Sequence, residues 1–287
     1  MRVLVTGGLG HVGREVVRHL AEHGYDVRSL DRGARPSDAT WEHVVGDLTD
    51  PRDMRRAVEG VDAVVHAGAI PHDRAGFADE VFRVNVFGTL MALQACAEAG
   101  VARVVNFSSV NSLGNFGGHR PAAYLPIDDA YPRHPQTPYQ LSKHLAEEAC
   151  AAFADRHGMT CISLRPVAVI HGAPFWRWRS ADPWQRAEWG KGDYWAYVDV
   201  RDVAEAVRLS LVAPEGRSGE FLLAAEDTTQ ELPTLDLLAR FYADTPWRGA
   251  PKEDYFRDNP NRGLLDCTQA FEALGWRPVH SWRTSSP

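Results

Sequence analysis

Short runs of β-branched and aliphatic residues alternate with longer amphipathic stretches through the first 165 residues. That alternation marks βαβ units, in which strands buried on both faces build a parallel sheet between layers of helices. The apolar runs predict strands at Arg2 to Thr6, Asp26 to Asp31, His43 to Gly46, Ala63 to Ala67, Arg103 to Ser108 and Thr160 to Arg165. Amphipathic spacing predicts helices over Val12 to Glu22, Asp50 to Val58, Ala78 to Glu98 and Tyr139 to Arg156. Six strands and four helices in this order suit an α/β fold with a Rossmann-type, doubly wound parallel sheet.

After Arg165 the pattern changes. Residues 173 to 195 hold five of the nine tryptophans (Trp176, Trp178, Trp184, Trp189, Trp195) among Arg, Pro and Gly. Residues 197 to 212 return to an amphipathic helix, Gly219 to Ala225 to a strand and Leu232 to Tyr242 to a helix, with a last helix before Gly275 and Trp276. The expected division is a dinucleotide-binding domain over 1 to 166, rejoined by 196 to 214, and a small substrate-binding lobe from 167 to 195 and 215 to 287. No internal repeat or low-complexity tract is present in the sequence.

Charge and composition narrow the partners. With 31 Lys and Arg against 38 Asp and Glu, and no long basic block, neither nucleic acid nor an anionic membrane is expected as a partner. Cys96, Cys150, Cys161 and Cys267 are scattered without metal or disulfide spacing, so they are expected as reduced core residues in a reducing cytoplasm. The chain opens directly on an apolar strand too short for a signal segment, and no apolar run approaches a membrane span.

The first strand runs into Thr6-Gly7-Gly8-Leu9-Gly10-His11-Val12-Gly13. Glycines at 7, 10 and 13, where strand gives way to helix, let a pyrophosphate approach the backbone and meet the N–H groups of a helix N-terminus. Asp31 follows Gly13 by 18 residues, at the end of the second strand, where a carboxylate binds ribose hydroxyls and repels a 2′-phosphate. NAD is therefore expected over NADP, although Arg32 and Arg35 beside it suit a phosphate.

Tyr139 and Lys143 lie at i and i+4 and share a helix face. An ammonium beside a phenol favours the phenolate, and a tyrosine must be lowered by roughly 4 kcal/mol to act as a base near neutrality. The strand ending in Ser108 and Ser109 brings a hydroxyl to the carboxyl edge of the sheet, where it can orient a substrate oxygen. No His, Asp or Cys cluster along the sequence suggests a metal.

Taken together, TGGLGHVG, the Gly46-Asp47-Leu48 turn, His66-Ala67-Gly68-Ala69, Asn85, Ser108-Ser109, YQLSK, Leu164-Arg165-Pro166, YVDVRDVAEA (197 to 206) and ALGWRP (273 to 278) make the chain similar to the extended short-chain dehydrogenase/reductase group. That group includes nucleotide-sugar epimerases, dehydratases and sugar or uronate dehydrogenases. The resemblance implies Tyr139 as general base, Lys143 on the nicotinamide ribose, and Ser109, five residues before Gly114, holding the reacting oxygen. It also implies Asp47 and Leu48 at the adenine, Ala67, Gly68, Ala69, Asn85 and Ser108 along the cofactor, and Pro166 and Val167 at the nicotinamide carboxamide.

Departures from the group narrow the reaction. Dehydratases carry an Asp-Glu pair after the catalytic hydroxyl, where this chain has Val110 and Asn111; epimerases offer an asparagine where it has Val167-Ala168-Val169. A hydride transfer between NAD and a sugar, uronate or related small molecule is expected, with epimerisation as the alternative and a non-catalytic NAD(P)-binding sensor behind it. Asn111, His171, Trp176, Arg177 and Tyr194 are candidate substrate contacts, indole faces and guanidinium forks being suited to sugar rings and carboxylates; tryptophans packed on each other in a lid or lobe core, and an ordinary loop histidine at 171, are the competing readings. The helices at 78 to 98 and 139 to 156 carry apolar and Ala-rich faces, which core packing within one subunit would also explain; the group pairs these helices across a two-fold axis, so the resemblance implies a homodimer.

Overall fold

Val3 and Val5 point to one side of the first strand and Leu4 to the other, and all three are fully buried. The computed structural model, which describes residues 1–37, 39–73, 77–170 and 182–284, shows why both faces are covered. Strands β1 (Arg2–Thr6), β2 (Asp26–Asp31), β3 (Glu42–Val45), β4 (Ala63–His66), β5 (Arg103–Phe107), β6 (Thr160–Pro166) and β9 (Gly219–Leu223) form one parallel sheet in the order β3-β2-β1-β4-β5-β6-β9. The reversal of direction beside β1 is the switch point at which such sheets open a crevice at their carboxyl ends.

On one face, Val3 and Val5 pack with Val16, Val17 and Leu20 of α1 (His11–Glu22) and Val203 and Val207 of α7 (Val200–Val212). On the other, Leu4 packs with Met54 and Ala57 of α2 (Pro51–Val58), Leu93 and Cys96 of α4 (Gly88–Ala99) and Cys150 of α5 (Pro138–His157). All four cysteines are free thiols. Among the described residues, no helix is long and apolar enough to cross a membrane.

The start of α5 matters most for the site. Thr137 accepts from the backbone N–H of Gln140, the Gln140 side chain reaches back to the Thr137 backbone, and Pro138 sits in the first turn. This capping box fixes where the helix begins, and hence the faces of residues 139 and 143.

Three expected elements differ. The helix expected over 78 to 98 is α3 (Ala78–Phe82), a π-helical turn (Arg83–Phe87) and α4. The helix expected from 197 starts at Val200, because Tyr197–Asp199 forms strand β8, pairing in parallel with β7 (Ala168–Ile170), and Asp199 caps α7 by accepting from the Arg201 N–H. Finally, the strand expected over Gly219 to Ala225 ends at Leu223, where β9 extends the main sheet at β6. The rest of the chain after β8 carries α8 (Thr234–Phe241), α9 (Lys252–Tyr255) and α10 (Thr268–Leu274), while α6 (Pro183–Gly190) precedes β8.

Candidate active site

A cavity of about 590 Å³ opens at the carboxyl ends of β1, β4, β5 and β6. It is lined by Gly7, Gly10, His11, Val12 and Gly13 from the glycine turn, and by Ala67 and Ala69 after β4. Ser108, Ser109 and Asn111 after β5, Tyr139 and Lys143 on α5, Pro166 at the end of β6 and Val167 after it complete the expected set found there.

The glycine turn is built for close approach. Gly7 has φ +67°, and a Cβ on Gly13 would lie 2.1 Å from the Gly7 carbonyl oxygen, so only a bare backbone fits. Such a cradle at the start of α1 suits a dinucleotide pyrophosphate. Asp31 stands at its outer edge, accepting from the Leu9 N–H at 3.1 Å through one oxygen and from the Arg32 N–H at 2.7 Å through the other. Arg32 is exposed beside it. Asp47 accepts twice from Thr49, at 2.8 Å from N–H and hydroxyl; burial pushes its carboxyl up, but these bonds and the charges of Arg83 and Arg32 hold it below the usual range. Leu48 packs against Gly68 and Gly88.

At the other end of the cavity, Ser109 is the N-cap of a short 3-10 helix, Val110–Leu113, and its Oγ accepts from the Asn111 N–H at 3.2 Å. Burial pushes the Tyr139 hydroxyl up to about 12, and a hydrogen bond from Ser109 opposes that rise. Lys143 is buried, its Nζ donating to the Phe107 carbonyl at 2.7 Å and lying 5.9 Å from the centre of the Tyr139 ring. Burial lowers its amine to about 8, against the pull of the Glu147 carboxylate. Burial and Lys143 together press His66 down to about 3, leaving a neutral imidazole between Thr6 and Thr89.

Two expected contacts fall elsewhere. Asn85 lies outside the cavity in the π-helical turn, fully engaged with the Ile70 backbone at 2.8 and 3.0 Å and with Ser142 at 3.0 Å. It braces the segment after β4 against α5. Tyr194 is buried, its ring against Phe116 and Tyr242 and its hydroxyl accepting from Asn115 at 3.0 Å, and it does not line the cavity. His171, Trp176 and Arg177 lie outside the described residues.

The sequence reading missed Pro71, Phe116, Ala168, Val169, Asp193 and Ala196, which also line the cavity. They come from separate loops and short strands with no shared periodicity. Asp193 accepts from the Gly117 N–H at 2.8 Å, which fixes its carboxylate at the rim.

With this geometry in hand, comparison with known proteins is decisive at the level of family. Residues 3–224 match the model of the NAD dependent epimerase/dehydratase family. The chain belongs to that family. A 2-alkyl-3-oxoalkanoate reductase of Stenotrophomonas maltophilia is 32% identical over 96% of this chain and 76% of the relative. A uronate dehydrogenase of Pseudomonas syringae pv. tomato is 31% identical over 57% of this chain and 58% of the relative. A short-chain dehydrogenase/reductase superfamily protein from Agrobacterium tumefaciens, crystallised with bound NAD, superposes with TM-score 0.74 at 26% identity, covering 98% of this chain and 93% of that one. The chain spans about half the length of other family members it matches, among them a sterol demethylase protein B and a 3-beta-hydroxysteroid dehydrogenase.

Proposed function

We propose that this protein is an NAD-dependent oxidoreductase in which Tyr139 is the general acid/base for hydride transfer at a hydroxyl or carbonyl carbon. The observation that carries the reading is the convergence of Ser109, Tyr139 and Lys143 at one end of a cavity whose other end is the glycine cradle. The cradle, Asp31 and the family's cofactor together support NAD, which when bound supplies the hydride acceptor or donor at nicotinamide C4. Ser109 orients the reacting oxygen, Tyr139 takes or gives its proton, and the Lys143 ammonium favours the phenolate and binds ribose hydroxyls.

Two substrate classes fit this chemistry: a sugar or uronate, and a ketone or secondary alcohol bearing apolar groups. The lining favours the second. Val110, Phe116, Ala168 and Val169 give the cavity an apolar lining, Asp193 would repel a carboxylate, and among the described lining residues the basic side chains are Lys143 and His11. The alignment with the 2-alkyl-3-oxoalkanoate reductase over 96% of this chain agrees.

An absorbance screen at the NADH band over uronates, sugars, hydrophobic alcohols and 3-oxoacyl compounds tests this reading. Turnover that disappears in Tyr139→Phe while NADH binding persists supports it. Turnover surviving that substitution removes Tyr139 as the base; cofactor that co-purifies and is never consumed favours epimerisation, and cofactor binding without turnover on any substrate favours a sensor. Exposed Phe87, Leu90 and Leu141 near or on α4 and α5 support a homodimer through these helices, checked by light scattering. Four free thiols fit a reducing cytoplasm.

A further inference from the structure

Two side chains at the end of α1 and a third from far along the sequence meet where α1 packs on α7. His19 lies in the last turn of α1 and His23 caps its C-terminal end, at i and i+4, so both imidazoles rise from one face. Glu205, 186 residues after His19, reaches them from α7. One ligand atom from each of the three falls within 4.8 Å of the others.

The hydrogen bonds already orient this set. His23 Nδ1 lies 2.8 Å from the His19 carbonyl oxygen, which can only accept, so Nδ1 carries the ring proton and Nε2 keeps its lone pair. A backbone carbonyl in this role is the usual outer partner of a metal-ligating histidine. His19 Nε2 stands 2.9 Å from Glu205 Oε2, and Arg208 grips the same carboxylate at 2.8 and 2.6 Å, which fixes its direction. The two imidazole centres are 4.3 Å apart.

We propose that His19, His23 and Glu205 form a surface site for a divalent transition ion of the zinc class, clipping α1 to α7. Bonds of about 2.0–2.2 Å to a tetrahedral ion put ligand atoms roughly 3.3 Å apart. Closing the remaining distance takes a shift of the exposed His23 side chain, and water would complete the coordination. As the ion takes its place, the proton leaves His19 Nε2 and solvent returns one to Nδ1, so the ring stays neutral and Nε2 offers its lone pair. Two imidazoles and one carboxylate select zinc, nickel or copper over magnesium or calcium. The site lies at the opposite end of α1 from the glycine turn, so it does not depend on the proposed reaction.

Titration of untagged, chelator-treated protein with zinc chloride, by calorimetry and by thermal unfolding, tests the site. One ion bound per chain, a raised Tm and no response to magnesium are expected. In His23→Ala, which removes an exposed side chain, and in Glu205→Gln, zinc affinity should fall roughly tenfold or more. Zinc binding of unchanged strength in both variants would place the ion elsewhere and overturn the proposal, as would no uptake by the parent protein at about 100-fold the protein concentration.

Discussion

Glu147 accepts from Arg165 through both carboxylate oxygens, at 2.8 and 2.9 Å, and neither side chain reaches solvent. Ser108 and Ser112 donate to the same carboxylate, and Arg133 approaches it at 3.2 Å. Burial pushes the Glu147 carboxyl up, but the bonds and charge of Arg165 hold it below the usual carboxylate range. The pair thus anchors α5 to β6 directly behind the loop that carries Ser109.

Removing one member of a buried pair strands the other charge. Glu147→Gln should lower stability by about 3 kcal/mol, read from urea unfolding. Replacing both groups with apolar residues of similar volume, as in Glu147→Leu with Arg165→Met, should recover most of that loss. A double variant no more stable than Glu147→Gln would overturn this account, because the loss would then not come from the stranded charge.

The glycine cradle gives a sharper test on binding. A Cβ at position 13 would meet the carbonyl oxygen of Gly7 at 2.1 Å and its carbon at 2.9 Å, both backbone atoms that cannot rotate away. Gly13→Ala must therefore reshape the turn. NADH affinity, followed by fluorescence titration, should fall at least about tenfold, which is about 1.4 kcal/mol, while the sheet still folds. Unchanged affinity would mean that the cofactor does not use this turn.

Much of this site is legible in the chain because its logic is local. β1 and β2 begin and end where the sequence predicts, since their residues are buried on both sides and the pattern has no competing period. Tyr139 and Lys143 share a face because Thr137, Pro138 and Gln140 define the helix start within four residues. What stayed hidden is long-range. Tyr197–Asp199 is too short to separate from the helix it precedes, and only pairing with Ala168–Ile170 makes it a strand. The bonds of Asn85 to Ile70 and Ser142 span 15 and 57 residues, and no local pattern announces them. Phe116 and Asp193 have no sequence pattern linking them to the site.

The pH profile should carry the mark of Lys143. Tyr139, at about 12 in the field of the chain, stays protonated through neutrality and is ready to donate in the reductive direction. Lys143 sits at about 8, so its charge is lost within the working range. The reductive rate should be level from pH 6 to about 8 and fall above it as the ammonium deprotonates. A level rate to pH 10 would separate Lys143 from the reaction.

Asp129 makes the last prediction, on stability alone. Its Oδ1 accepts from the Leu222 N–H at 2.8 Å, its Oδ2 has no hydrogen-bond partner, and Arg165 stands 3.9 Å away. Burial raises this carboxyl to about 7, outweighing the Leu222 bond and the Arg165 charge. An unfolded aspartate titrates near 3.9, so between those values the folded chain binds a proton that the unfolded chain does not. Its stabilising share is complete below about pH 4 and is lost as pH rises through 7. Asp129→Asn keeps an acceptor for the Leu222 N–H and cannot ionise. Relative to the parent protein, its stability from urea unfolding should improve by about 2 kcal/mol between pH 5.5 and 8.5. A difference between the two proteins that does not change across that interval would show that Asp129 is already ionised in the folded state at pH 5.5, held so by Arg165.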